Sequence, residues 1–265
     1  MESMRITVLP LTDTSTDVLA DVLAFTSDRT EDRVTVIAST FTDVTVHGLR
    51  FSPDIDACLL PPSTALPGGA VEELAAYHVD AEWFPMTEAS LAAAVLRTRL
   101  LALGYPLSQV VQAMASRFSP AFSLLPASDD AVETLVVVER DGQEEAWPAR
   151  RFRAADPQRV TRVVRTGIEG ATAAPGVLRA LRQADAIIVR ADEYAALDTV
   201  PVLELPGVLD ALTGTRATVL LSGGDSLPSE LRSRLGATEI TGAVAEALAG
   251  VEPAAPAGTT VWDRA

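Results

Sequence analysis

Apolar and β-branched residues alternate with turn-formers from the first residues of the chain. "RITVLPL" at 5–11 and "RVTVIAS" at 33–39 read as short strands. Between them, "TSTDVLADVLAF" sets Val18, Leu19, Val22 and Leu23 on one helical face behind Ser and Thr, which suit a helix N-terminus. Strand, helix and strand in that order predict a βαβ unit, the building block of a parallel sheet. A helix is also predicted from Thr87 in "TEASLAAAVLRTRLLALGYP": Thr87 caps it and Glu88 lies in its first turn. Leu91, Val95, Leu96, Leu100 and Leu103 form its apolar set, and Gly104 and Pro106 stop it. A second helix is expected from near Ser108, so that 87–118 forms a helical insert.

Beyond it, "LLPASDDAVETLVVVER" is β-rich, and "PGVLRALRQADAIIVR" gives a helix opened by Pro175 and then a buried strand. "PGVLDALTG" and "ATVLLSGG" repeat that order. The expected fold is α/β, a Rossmann-like parallel sheet core with a helical insert. It is expected to form one domain over 1–250, with a loose Pro- and Ala-rich tail at 251–265.

Composition narrows the chemistry. The chain has 265 residues, 48% of them hydrophobic and 22% charged, which suits a compact core. A net charge of −15 opposes binding to nucleic acid or to an anionic membrane. No apolar run is long enough to span a bilayer and no signal-peptide pattern opens the chain. With a lone cysteine, Cys58, that reads as packing, a cytoplasmic location is expected. All 21 basic residues are Arg, so Lys-dependent steps such as Schiff-base formation are excluded, whereas bidentate Arg contacts to anions are available.

Several stretches carry candidate chemistry beside a plainer reading. The turn after the first strand, "LPLTDTSTD", has no glycine for close phosphate approach; its Asp13 and Asp17 suit the helix dipole instead. In "SPDID", Asp54 and Asp56 would share one side if extended and, with Asp43, could hold Mg²⁺, or they form a solvated turn. His47 and His78 lie in polar connectors without metal-ligand spacing. In "SDDAVET", Asp130 and Glu133 are spaced like a capping box, or with Asp129 they contact a ligand. Arg150, Arg151, Arg153, Arg159, Arg162 and Arg165 either form a strand face paired with surface acids or grip an anion. No G-x-S-x-G elbow is present.

"HGLRFSPDIDACL", "WFPMTEASLAAAVLRTRLLALGYPLSQV", "LLPASDDAVET" and "APGVL…LPGV" follow one another as in the 2-phospho-L-lactate transferases of deazaflavin coenzyme F-420 biosynthesis, which the chain resembles over roughly its first 215 residues. The resemblance implies Mg²⁺-dependent transfer of a phospholactyl or phosphoenolpyruvyl group from a guanosine-activated donor to the deazaflavin Fo. It implies Asp54 and Asp56 as catalytic residues and Asp43, Asp54 and Asp56 as metal ligands. His47, Gly48, Ser128, Asp129, Asp130, Glu133 and Thr134 would bind substrate. The chain departs from the family at the first turn, at "STFTD" (39–43), at "TEAS" (87–90), at Ala94 and at "EYA" (193–195), and its C-terminal part looks shortened. These departures gather on the donor side. They leave a second expectation, a noncatalytic paralogue that binds a deazaflavin or partners an intact homologue, as a homo-oligomer or hetero-oligomer.

Overall fold

The computed structural model describes residues 3–60, 69–77, 83–118, 120–155 and 159–252. His78 and all of the expected tail except residues 251 and 252 lie outside them. The strands are β1 (Arg5–Leu11), β2 (Arg33–Ala38), β3 (Val44–Val46), β4 (Leu49–Phe51), β5 (Ser123–Pro126), β6 (Glu133–Arg140), β7 (Gln143–Pro148), β8 (Arg159–Thr166), β9 (Ala186–Arg190), β10 (Thr218–Ser222) and β11 (Thr238–Ile240). The helices are α1 (Thr16–Thr26), α2 (Pro53–Leu59), α3 (Ala70–Ala76), α4 (Glu88–Ala102), α5 (Leu107–Phe118), α6 (Ala149–Ala154), α7 (Val177–Gln183), α8 (Thr199–Glu204), α9 (Val208–Thr213), α10 (Ser229–Leu235) and α11 (Val244–Ala249).

Six strands form one parallel sheet in the order β11-β10-β9-β1-β2-β5. Read by order of appearance this is the 3-2-1-4-5-6 arrangement of a Rossmann sheet, as expected. Its strands are apolar on both sides because both faces are covered. Ile6 and Val8 of β1 join Val18, Leu19 and Val22 of α1, Val110, Val111 and Met114 of α5, and Val244 and Leu248 of α11. Leu9 faces the other way, into a core shared with Val177 and Leu181 of α7, Val202 and Leu203 of α8, and Val208 and Leu212 of α9. Pro10 has no N–H for the ladder, and the β1–β2 register shifts between Val8 and Leu11. At the opposite end of β1, Arg5 is tied to Asp185 through its backbone N–H (2.7 Å) and its guanidinium (3.0 Å).

The insert forms as the spacing predicts, with Thr87 and Ser90 capping each other's backbone at the start of α4. Its inward face is not the leucine set. Ala93, Ala94 and Arg97 are buried, while Val95, Leu96 and Leu103 are exposed. The alanines permit close approach to the domain, and Arg97 finds a carboxylate there.

The β-rich zone after β5 becomes a separate antiparallel sheet in the order β7-β6-β8. Val136, Val138 and Trp147 pack with Ala149 and Leu197, which brings α6 against the segment following β9. Among the described residues no helix is long and apolar enough to cross a membrane.

Candidate functional site

Because all six strands run parallel, their carboxyl ends share one edge. The order reverses between β1 and β9, so the chain leaves these neighbours in opposite directions and opens a crevice, the usual ligand position in open α/β sheets. Buried charge collects there. Asp43, Asp54, Asp56, Arg97 and Asp198 are all buried, and burying charge is costly unless it is paired.

Asp54 and Asp56 are not on an extended strand. Ser52 and Pro53 open α2 at Asp54, and residues two apart on a helix point about 200° away from each other. Asp56 turns to the insert, where its Oδ1 pairs with Arg97 Nη2. Arg97 also donates through Nη1 to the Arg50 carbonyl at 3.1 Å. Arg50 in turn meets Asp43 Oδ2 at 3.2 Å, and Ser52 Oγ donates to that same oxygen at 2.6 Å. Asp43 Oδ1 remains buried without a hydrogen-bond partner. Burial raises both the Asp43 and the Asp56 pKa, against the pull of Arg50 and Arg97.

Asp54 turns to the switch point. Its two oxygens accept the Asp13 backbone N–H (2.9 Å) and the Thr42 hydroxyl (2.7 Å). Its charged neighbours include two acids. Burial, then the charges of Asp13 and Asp198, push its pKa to about 8 against the nearby Arg150. Asp198, the residue before α8, is raised to about 6 by burial and by Asp192. The Asp198 Oδ1 accepts from Thr199 Oγ1, while Oδ2 is buried, unbonded and 3.6 Å from Arg153 Nη1.

Arg150 and Arg153 enter on α6. Both pair with Asp13, at 2.7 and 3.2 Å, and these cations carry the Asp13 pKa below the usual carboxylate range although burial opposes them. Arg153 also lies over the Tyr194 ring, 4.8 Å from its centroid. Thr14 reaches across from the β1 turn to Asp192. Asp13 is thus an acid bound to two guanidiniums, not a helix-dipole residue. In the rest of the Arg-rich stretch, Arg159 pairs with Glu139 and Arg162 with Glu144 at the surface, whereas Arg151 lies over the Trp147 ring and Arg165 donates to the Ala196 carbonyl.

The other candidates sit apart from this network. His47 and Gly48 form the tight turn between β3 and β4, both at positive φ, with His47 exposed. Asp129 accepts from Ser108 at the start of α5, its Oδ2 taking the hydroxyl at 2.8 Å. Asp130 and Glu133 make no capping box, since β6 starts at Glu133. Asp130 instead accepts the Thr172 N–H at 2.8 Å, and Ser128 Oγ donates to the Thr172 carbonyl at 2.7 Å. Thr134 is buried with its hydroxyl unpartnered. Cys58 is half-buried, packs against the core and donates to the Asp54 carbonyl at 3.3 Å. Burial pushes its thiol pKa up, so it is no nucleophile. Arg50, Arg97 and Asp198 had no role in the sequence-based expectation. The one signal for Arg97 was a cation amid alanines.

The sequence profile described as 2-phospho-L-lactate transferase CofD matches residues 14–224. The chain belongs to the 2-phospho-L-lactate transferase family. A phosphoenolpyruvate transferase of Mycolicibacterium smegmatis is 35% identical over 219 residues, covering 74% of this chain and 64% of that protein. One from Streptomyces avermitilis is 38% identical over 176 residues, covering 58% of this chain and 53% of that one. This transferase-family chain thus spans less than two thirds of the length of these relatives. A member of the UPF0052 family from Bacillus halodurans matches with a TM-score of 0.56 at 19% identity, covering 84% of this chain and 69% of that one, a likeness of fold.

Among the described residues no three or more His, Cys, Asp or Glu side chains are gathered to hold a metal ion. Asp43, Asp54 and Asp56 each face a different partner. As arranged they do not fit one magnesium ion shared by all three.

Proposed function

We propose that this chain binds a deazaflavin acceptor of the Fo type at the carboxyl edge of its sheet and acts on it as a transferase of the 2-phospho-L-lactate transferase class. The observation that carries this reading is the switch-point set of buried Asp54 and Asp198 with half-buried Arg150 and Arg153, because apolar residues would fill that space at lower cost. Asp198, with its free Oδ2 and a pKa of about 6, takes the proton of an acceptor hydroxyl as that oxygen attacks phosphorus. The guanosine nucleotide leaves as the new P–O bond forms. Arg150 and Arg153 stabilise the anionic donor once Asp13 yields them.

A second reading, a noncatalytic family member that binds a deazaflavin, is favoured by a specific observation. Asp13 already pairs with both arginines, and two of the departures from the family's pattern, the first turn and residues 193–195, flank those ion pairs.

One experiment separates the readings. Fo is titrated with the protein by its own fluorescence, with and without Mg²⁺ and with Asp54→Asn, and the mixture is then given guanosine-activated phosphoenolpyruvate and examined by mass spectrometry. Saturable binding followed by a deazaflavin that carries the phosphoenolpyruvyl group supports transfer. Binding without product supports the noncatalytic reading, and no binding at high protein concentration sinks both.

A further inference from the structure

The two half-buried arginines at the switch point already hold an anion, and it belongs to the chain itself. Asp13 Oδ2 meets Arg150 Nη2 at 2.7 Å, and Oδ1 meets Arg153 Nη2 at 3.2 Å. The arginine side chains are 16% and 7% exposed, whereas that of Asp13, at 26%, is the outermost of the three.

Arg153 is set for more than a carboxylate supplies. The Tyr194 ring covers its guanidinium, and Thr14 Oγ1 accepts from Nη2 at 3.2 Å. Its Nη1 is buried without a hydrogen-bond partner, and Asp198 Oδ2 stands 3.6 Å from it. A buried donor left unpaired is costly, and both oxygens of Asp13 are already in use. A phosphate group brings further oxygens and further charge in a geometry that arginine forks match.

The backbone beneath Asp13 is fixed. Its N–H donates to Asp54 Oδ1 at 2.9 Å, and the turn around it is closed by Thr12 N–H to Ser15 Oγ (2.9 Å) and Ser15 N–H to the Thr12 carbonyl (3.1 Å). The main chain therefore stays in place while the carboxylate swings into solvent by changing rotamer.

We infer that Asp13 is a built-in competitor for the anion site of Arg150 and Arg153, displaced by a phosphate or diphosphate group of two or more negative charges and not by singly charged anions. This rests on the reading of these arginines as donor contacts. A free monoanion offers them no more than Asp13 does, and Asp13 is tethered beside them at high effective concentration. A diphosphate brings the extra charge and an oxygen for Arg153 Nη1. The crevice is thus shut to chloride and free carboxylates and opens to the group that a nucleotide-activated donor carries. An Asp13 that leaves the arginines free about one tenth of the time weakens the apparent affinity about tenfold.

The test is calorimetric titration of inorganic pyrophosphate into the full chain in about 0.15 M salt. Asp13→Asn and Asp13→Ala are each expected to bind it about tenfold more tightly than wild type, with unchanged far-UV circular dichroism. Asp17→Asn is the matched control: it removes one charge from an exposed position in the first turn of α1, leaves both arginine pairs intact and should bind like wild type. Adding Arg153→Gln to Asp13→Asn should abolish the gain. Excess acetate should weaken pyrophosphate binding to Asp13→Asn and leave wild type unaffected. If neither Asp13 variant binds more tightly than wild type, the proposal is overturned. An equal gain from Asp17→Asn overturns it too, by reducing Asp13 to one long-range charge among many. Acetate that competes equally well against wild type overturns the charge rule. Fo is titrated separately, so absent Fo binding sinks the acceptor reading and leaves this result standing, while absent pyrophosphate binding in every variant sinks this inference alone.

Discussion

Asp54 and Asp56 sit two residues apart on one short helix and meet opposite company. Asp56 faces a buried guanidinium, whereas Asp54 faces two acids that Arg150 only partly offsets. Residue type, helix and burial are the same for both, so the partners alone decide the outcome. Asp56 belongs to an ion pair that fastens the insert to α2. Asp54 is held near neutrality, so its proton is the part of the site most open to change.

The comparison breaks most visibly on the Asp56 side. Arg97→Met strands Asp56 in a dry site and is expected to cost about 3–5 kcal/mol in guanidinium unfolding. Adding Asp56→Leu recovers most of that loss, because the unpaired charge goes with it. A single variant that unfolds at the wild-type midpoint would show that the pair holds nothing.

The next effect is on pH dependence. Asp54 titrates at about 8 when folded and near the ordinary carboxylate value when unfolded, so the folded state binds its proton more tightly. Its contribution is therefore fully favourable below pH 4 and is lost as pH rises towards 8, with a slope of up to about 1.4 kcal/mol per unit. Asp54→Asn should flatten urea-unfolding stability across that window. Asp198→Asn should flatten it only up to about pH 6, where the folded group titrates. Identical pH profiles for wild type and Asp54→Asn would contradict the contrast.

Smaller still, Arg153→Ala removes the cation beside Asp198 and should lift the Asp198 pKa above about 6, followed by carboxyl-carbon NMR titration. The smallest change is expected at Arg162→Ala on β8, whose exposed pair with Glu144 should leave the thermal midpoint unmoved.

The sheet was legible because its strands are apolar on both faces and the intervening helices keep a 3.6-residue period. The α4 boundaries were legible from Thr87 and Gly104. Which face of α4 turns inward was not, since a helix apolar all round has no periodic signal to choose with, and alanine packs closer than leucine. The local sequence "SPDID" suits a turn as well as a helix with proline in its first turn, so the divergence of Asp54 and Asp56 was hidden. Arg153 and Asp13 meet across 140 positions, and only the intervening antiparallel sheet brings them together. Nothing in either stretch alone announces that pairing.

The clasp between Arg5 and Asp185 joins residues 180 positions apart, and it marks where the central strand finds its second neighbour. A ribosome delivers β1 first and β9 only after most of the chain has emerged. Until then one edge of the most buried strand waits unpaired, and contacts of such long sequence separation close slowly. The crevice at the other end of that same junction is therefore among the last parts of the molecule to exist during synthesis.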